Sequence, residues 1–261
     1  MRIRTLIAGY ALALALFLFA QHRPGSSSPA GFRTVVDLTH SLDADALASP
    51  ASEKSVYQLK TVATIEKEYF ARNNSLPELF GTRIEAPAEF ARGLWTVDQI
   101  PAERLVAPLV VLDVSPNVAN HPDYQVSVED IAKWEQAHDQ IPLGSVVIAR
   151  TGWGSRWNSV RNYRNADPKG VPHFPGFSPD AAKFLVEARN ALGLGIDTLR
   201  IDHGPSKDFP VRQYTLAHSV YQLENIANLD RAPAAGGMVV VAPSKLESGS
   251  SSPVRILALV R

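Results

Sequence analysis

Short runs of β-branched and apolar residues, separated by turn signals, are the feature that most restricts the fold of this chain. Each run has the length of a β-strand, and Gly, Pro, Asn or Asp residues bound most of them. The chain therefore has to build a sheet from many short strands. The predicted strands are Thr34–Thr39, Val56–Ile65, Leu109–Val114, Val146–Thr151, Leu194–Thr198, Met238–Ala242 and Val254–Val260.

Capping residues indicate two helices between these strands. Ser127, with an acidic residue three positions later, precedes the first predicted helix, Val128–His138. Ser178 followed by Pro179 precedes the second, Asp180–Leu192. Strands that cluster early and late, with helices between them, favour an α+β (α/β) fold over a regular alternation of strands and helices.

The N-terminus has the composition of an export signal. Two arginines precede a run of fifteen uncharged residues, 6–20, which is shorter than the roughly 20 residues of a spanning helix. We predict a signal peptide or N-terminal anchor over residues 1–20 and a Pro/Gly/Ser-rich linker over residues 21–32. The domain at residues 33–261 would then be exported, periplasmic or secreted, with residues 6–20 as its membrane contact if they are retained.

Composition narrows the possible chemistry. The chain carries 26 basic and 26 acidic side chains, so no net charge draws it to nucleic acid. It has no cysteine, which excludes disulfides, thiolate zinc sites and a cysteine nucleophile. The seven histidines are scattered, and the common serine-elbow, phosphate-loop and zinc-helix motifs do not occur. Any active site must be assembled from distant segments.

Six separated segments share their order and spacing with a known family. They are Val36–His40, Phe80–Phe90, Arg150–Trp153, Gly195–Pro210, Leu223–Leu229 and Lys245–Arg255. Together they resemble the cyclase family that includes kynurenine formamidases and isatin hydrolases, and the resemblance covers about residues 33–261. It implies a β-barrel-like mixed sheet surrounded by helices in a single domain, a homo-oligomer, and hydrolysis of N-formyl or cyclic amides with zinc or manganese.

The metal signature of that family, His-x-Gly-Thr-His-x-Asp-x-Pro-x-His, falls on residues 79–89. Gly81, Thr82 and Pro87 match it, but the positions that would face the metal do not. A later family histidine is also replaced, whereas the glutamate of the family, Glu224, is retained. The substituted former metal-ligand positions are Leu79, Arg83, Glu85, Glu89 and Arg212.

Ligand chemistry argues against a metal at these positions. A catalytic zinc needs about three neutral imidazole or carboxylate ligands and an open position for water. Leucine offers no lone pair, and arginine offers donors and a permanent positive charge. Two unit charges about 4 Å apart repel by on the order of 4 kcal/mol at an effective dielectric near 20. We therefore expect no metal cofactor, or zinc or manganese if the family site is retained despite the substitutions.

The same substitutions predict an ionic cluster. Glu85, Glu89 and Glu224 would be unpaired anions if the metal were simply lost, and buried unpaired carboxylates are costly. Arg83 and Arg212 supply the missing positive charge. Our hypothesis is that an arginine–glutamate cluster stands where the metal stood; the alternative is a set of ordinary surface ion pairs.

Three residues are candidate catalytic groups if activity survives without a metal. His203 follows Asp202, whose carboxylate would raise its basicity and orient it. Glu224 or Glu89 would act as acid or base if burial raised its pKa. The alternative interpretation, of equal weight, is that His203 is a structural turn residue whose side chain bonds to the backbone.

Three further residues are candidate substrate-binding groups. Arg83 or Arg212 could bind a substrate carboxylate through two parallel hydrogen bonds or stabilise an oxyanion. Trp153 could line an aromatic pocket, although it could also simply pack over a sheet edge. These residues favour an aromatic or anionic small-molecule ligand.

Three functional classes remain open. The first is a metal-dependent amide hydrolase of the arylformamidase type, as the resemblance implies. The second is a metal-free hydrolase that uses His203 and a glutamate on the same fold. The third, which the substitutions favour, is a non-catalytic or weakly active relative that binds a small molecule or a partner.

Overall fold

The computed structural model describes residues 31–42, 58–64 and 69–261. The predicted signal peptide or anchor and residues 21–30 of the predicted linker lie outside the described residues, as do both ends of the predicted strand 56–65. In the part of the chain that the structure describes, no helix is long and apolar enough to span a membrane.

The secondary structure follows the predicted pattern closely. Each of the seven predicted strands coincides in its main part with an observed strand. The strands are β1 (Thr34–Asp37), β2 (Gln58–Ala63), β3 (Ala71–Ser75), β4 (Arg83–Glu85), β5 (Val106–Asp113), β6 (Gln125–Val126), β7 (Val146–Arg150), β8 (Gly176–Phe177), β9 (Gly193–Ile196), β10 (Tyr221–Glu224), β11 (Gly237–Pro243) and β12 (Ser251–Val260).

The predicted helices are also present. Ser127 Oγ accepts the Asp130 N–H at 3.2 Å, and the Asp130 carboxylate accepts the Ser127 N–H at 2.9 Å, which completes a capping box. Ser178 Oγ accepts the Ala181 N–H at 3.1 Å. The α-helices are α1 (Ser115–Val118), α2 (Val128–His138), α3 (Val160–Arg164), α4 (Pro179–Arg189) and α5 (Pro210–Ala217).

Seven strands close into a barrel in the order β12-β11-β5-β7-β9-β10-β4, and β4 pairs back to β12. The long strand β12 makes this closure possible. Its first residues, Ser251–Pro253, pair with β4, and its last residues, Leu257–Val260, pair with β1. The expected β-barrel-like mixed sheet in a single domain is confirmed.

The parallel strands β5, β7, β9 and β10 are buried on both faces over most of their length. Val111 and Ile148 point inward and pack with Ile84 of β4. Their neighbours Val110 and Val147 point outward into a second core beneath the helices. This explains why β5 and β7 are nearly continuous apolar runs rather than alternating ones.

The middle of the sheet is more regular than its two ends. From β5 to β10 the chain alternates strands with helices, and the pairs β5–β7, β7–β9 and β9–β10 are parallel. Parallel neighbours require such crossover connections. Strand β10 itself was not predicted, because it has only four residues, Tyr221–Glu224, and two of them are polar.

The parallel strands place their carboxyl ends at one edge of the barrel. Asp113, Arg150, Ile196 and Glu224 are the last residues of β5, β7, β9 and β10. In open α/β sheets, ligands bind beyond this edge. The segments that follow these strands are therefore the place to look for a functional site.

Strand β8 packs so closely against the segment after β9 that Gly176 has no room for a side chain. A Cβ on Gly176 would lie 2.5 Å from the Asp202 carbonyl carbon and 2.7 Å from the His203 Cα, both backbone atoms. We expect Gly176→Ala to lower the free energy of unfolding by about 3 kcal/mol, because backbone must shift. Urea unfolding measures the change. Gly154→Ala, whose new methyl would have its nearest contact at 3.6 Å, is the control; equal stability of the two variants would contradict the packing argument.

Candidate functional site

The pairing of β4 with β10 assembles the core of the site. Arg83 lies opposite Glu224, and Glu85 lies opposite Gln222. Because alternate residues of a strand share a face, the side chains of Arg83, Glu85 and Glu224 point the same way. All three are fully buried. Helix α5, which carries Arg212, packs against β10 on this face.

Arg83 is held from several sides. Its Nε donates to Glu85 Oε1 at 3.2 Å, and its Nη2 donates to the Leu199 carbonyl oxygen at 2.7 Å. The same Nη2 also forms a short ion pair with Glu224 Oε2. A buried guanidinium is thereby bonded to two carboxyl groups and one carbonyl oxygen.

Arg212 reaches the same two carboxyl groups from the helix. Its Nη2 donates to Glu85 Oε1 at 2.8 Å and to Glu224 Oε1 at 3.1 Å. The first turn of α5 is fixed by Asp202, whose carboxylate accepts the backbone N–H of Arg212 at 3.1 Å. We call Arg83, Arg212, Glu85 and Glu224 the Arg–Glu cluster. The expected ionic contacts among these four residues are present.

The pKa values of the two glutamates in the cluster are shifted in opposite directions. Burial raises the pKa of Glu85 well above its ordinary value, and the charge of Glu224 raises it further. Burial acts on Glu224 as well, but Arg83 and Arg212 outweigh it, so the pKa of Glu224 is lowered. The two carboxyl groups therefore differ: the environment favours the neutral form of Glu85 and the ionised form of Glu224. Burial also opposes the charge of Arg212, yet the carboxylates raise its pKa above the ordinary arginine value.

Glu89 lies beside the cluster on a single 3₁₀ turn, Pro87–Glu89. In the described part of the chain it forms no ion pair with either arginine, and its buried Oε2 has no hydrogen-bond partner. The expectation that all three glutamates are paired is therefore wrong for Glu89. Burial raises its pKa to about 7, against the lowering effect of Arg212.

His203 and Trp153 do not match their expected environments. Asp202 does not orient His203, because its carboxylate caps α5, and burial lowers the pKa of His203 rather than raising it. Trp153 is 1% exposed, and its Nε1–H donates to the Tyr163 carbonyl oxygen at 2.8 Å. It packs in the outer core with no face open to a ligand, so the aromatic pocket expected there is not formed by this residue.

Arg200 is a site residue that the sequence did not reveal. Its Nη2 donates to the Gly204 carbonyl oxygen, and its guanidinium lies 5.2 Å from the ring centroid of Phe174 and 4.9 Å from that of Phe209. Burial lowers its pKa, and the positive charge of Arg212 lowers it further. Arg200 thus stiffens the turn that leads into α5. The only feature of the sequence that could have indicated this role is the position of Arg200 directly before the Ile-Asp-His-Gly-Pro turn.

The residues present do not fit the zinc or manganese that the resemblance implies. In residues 31–42, 58–64 and 69–261, no group of three His, Asp or Glu side chains is placed to hold a metal ion. Leu79 is half-buried and offers no donor atom. Glu85 and Glu224 already accept from the two guanidinium groups, so a dication would have to displace an arginine.

Comparisons with known proteins agree with this fold. The family described as "Putative cyclase" matches residues 36–203. An isatin hydrolase of Roseibium aggregatum is 35% identical over 193 residues, which cover 71% of this chain and 73% of that protein. A kynurenine formamidase of Polaromonas naphthalenivorans is 33% identical over 84 residues, which cover 32% of this chain and 37% of that protein.

Solved structures give the same result. Isatin hydrolase A from Labrenzia aggregata, bound to benzyl benzoate, has a TM-score of 0.81 at 34% identity and covers 87% of this chain and 93% of its own. An isatin hydrolase bound to the product analogue thioisatinate has a TM-score of 0.80 at 28% identity, and the match covers 100% of this chain and 99% of that one. The fold and these relatives define a class of amide hydrolases built on a closed mixed barrel. This chain belongs to that cyclase family.

The buried carboxyl of Glu89 predicts a pH-dependent stability. A folded-state pKa of about 7 against an ordinary 4.5 means that stability falls as pH rises from about 4.5 to above 7, since only the folded state resists ionisation. Glutamine mimics the protonated acid. We expect Glu89→Gln to be more stable than the unaltered chain by about 3 kcal/mol at pH 8 and by less than about 1 kcal/mol at pH 5.

Urea unfolding at both pH values measures this effect. Glu103→Gln, a change of the same type at an exposed site, is the matched control and should show no pH-dependent difference. If Glu89→Gln shifted stability by the same amount at both pH values, the Glu89 carboxyl would not be the titrating group.

Proposed function

We propose that this chain is a cyclase-family protein in which the Arg–Glu cluster replaces the metal centre, and that it binds a small molecule without hydrolysing amide bonds efficiently. The observation that supports this most directly is the fully buried guanidinium of Arg83, bonded to Glu85 and Glu224. It occupies a position where the family signature has a metal-ligating histidine.

The chemistry of a guanidinium explains the expected loss of hydrolysis. A metal ion lowers the pKa of a bound water to roughly 7 and so supplies hydroxide at neutral pH. A guanidinium offers only N–H donors and has no vacant coordination position. The cluster can stabilise negative charge, but it has no means of generating a nucleophile.

Elemental analysis and an amide-hydrolysis assay of the full chain test this proposal. We expect much less than one zinc or manganese per chain after purification with both metals present, and no hydrolysis of N-formylkynurenine or isatin above background. Stoichiometric metal together with turnover that a chelator abolishes would contradict the proposal.

A variant that restores the metal ligands of the family tests the same proposal in the opposite direction. The combined variant L79H/R83H/E85D/E89H/R212H rebuilds the family signature around the retained Glu224, and we expect it to bind about one zinc per chain. The matched control, L79H alone, adds one donor and leaves both guanidinium groups in place, so it should bind none. If the variant with all five substitutions folded but did not bind zinc, these side chains would not be what excludes the metal.

Metal-free hydrolysis is the second candidate function, and Glu89 is the observation that favours it. A carboxyl with a pKa of about 7 suits a general base at neutral pH, and Arg212 lies close enough to affect its pKa. This candidate predicts turnover that survives chelation and disappears in Glu89→Gln. The same assay therefore separates the two proposals.

Export and self-association also remain proposals. The uncharged run at residues 6–20 supports export, and family resemblance supports a homo-oligomer. In the described residues, the β2–β3 hairpin exposes Val62, Tyr69 and Phe70, which is consistent with a contact to another subunit.

A further inference from the structure

A cavity of about 360 Å³ lies at the edge where the parallel strands β7 and β9 end. Its volume is within the range of small-molecule sites, and none of its lining residues belongs to the Arg–Glu cluster. We call it the strand-end cavity. Its polar side chains are His40, Arg150, Ser155, Asp197, Asn228 and Asp230.

Two polar side chains of the cavity each donate one hydrogen bond within the protein. The hydroxyl of Ser155 donates to the Gly152 carbonyl oxygen at 2.8 Å. The amide Nδ2 of Asn228 donates one of its two hydrogens to the Asp37 carbonyl oxygen at 2.8 Å. A ligand would therefore find only lone pairs at Ser155 Oγ, whereas Asn228 offers the lone pairs of its Oδ1 and one remaining N–H.

The charged groups of the cavity favour a cation. Asp197 is 3% exposed, its Oδ1 accepts the backbone N–H and the hydroxyl of Thr151 at 2.9 Å and 2.6 Å, and its Oδ2 accepts the Gly154 N–H at 3.3 Å. Burial raises the pKa of Asp197, and these hydrogen bonds oppose the rise. Asp230 adds an exposed carboxylate. The one arginine of the lining, Arg150, is already paired with Asp113, so the carboxylates set the sign of the local potential.

The ring of His40 adds one more acceptor. It is stacked on Trp157 with centroids 3.9 Å apart and planes 6° apart. Its Nε2 is buried with no hydrogen-bond partner in the described part of the chain. Burial lowers the pKa of His40 to about 4, so the ring is neutral at neutral pH and one of its nitrogens can accept.

We propose that the strand-end cavity binds a small organic cation, with an ammonium, amidinium or guanidinium group directed at the exposed carboxylate of Asp230, while the buried Asp197 lies behind it. An acceptor-rich lining with an excess of carboxylate calls for a ligand that brings several N–H donors and a positive charge. This inference rests on the proposed binding function and gives it a place and a ligand class. It also departs from the anionic ligand that the arginines suggested, because those arginines are engaged by their own glutamates.

Three compounds of matched shape test the charge preference. Benzamidine is a planar cation, benzamide is its neutral counterpart and benzoate is an anion on the same ring. In calorimetric titrations of the full chain at pH 7, we expect benzamidine to bind at least about tenfold more tightly than benzamide and benzoate to bind most weakly. Benzoate binding as tightly as benzamidine, or no benzamidine binding up to about 5 mM, would overturn the proposal.

Two variants locate the site. Asp230→Asn removes one exposed charge, and we expect a loss of benzamidine affinity of about fivefold. Gly154→Ala places a methyl group 3.8 Å from Asp197 Oδ2 and 3.6 Å from the Ile226 carbonyl oxygen, ordinary contacts that the fold tolerates but that fill the cavity floor. We expect a loss of at least about tenfold from it.

A control variant and a folding check complete the design. Glu103→Gln removes a charge of the same sign outside the cavity and should leave benzamidine affinity unchanged. Circular dichroism confirms that each variant is folded. If folded Asp230→Asn and Gly154→Ala proteins both bound benzamidine as the unaltered chain does, the cation site would lie elsewhere and the proposal would be wrong. This result is independent of metal content and hydrolysis, so it is distinguishable from failure of the proposed function.

Discussion

The guanidinium of Arg83 is a charge that cannot be removed and that has no access to water. Arginine stays protonated at any working pH, so a fully buried Arg83 must be balanced inside the protein. Glu224 of β10 and Glu85 of β4 provide this balance. Loss of one partner from such a pair typically costs about 3–5 kcal/mol. Because β4 is only three residues long and closes the barrel between β10 and β12, the ion pairs reinforce the contact on which closure depends.

Arg83 and Arg212 together carry two positive charges, the formal charge of a divalent cation. The Arg–Glu cluster can thus satisfy the buried glutamates, as a metal would, without an open coordination position. Burial raises the pKa of Glu85 and that of Glu89, which limits the negative charge that the two arginines have to balance. In our proposal arginine takes over the electrostatic role of a metal, but a guanidinium cannot activate water.

The sequence predicted the elements with strong local signals. Ser127 and Ser178 mark helix starts through capping that depends on a few neighbouring residues. Strand β4 was not predicted, because Arg83-Ile84-Glu85 is too short and too polar to be recognised without its partners. The contact of Arg83 with Glu224 was reached through the family resemblance and the cost of unpaired charge. The unpaired state of Glu89, the burial of Trp153 and the strand-end cavity depend on packing between distant segments, which no local pattern encodes.

The replacement of a metal by arginine can be tested on crystals grown with zinc and manganese in excess and measured on both sides of each metal absorption edge. We expect electron density for both guanidinium groups against Glu85 and Glu224, with no anomalous peak between these side chains. An anomalous peak bonded to either glutamate, with Arg83 or Arg212 turned away, would show that a metal occupies the site and that the Arg–Glu cluster does not replace it.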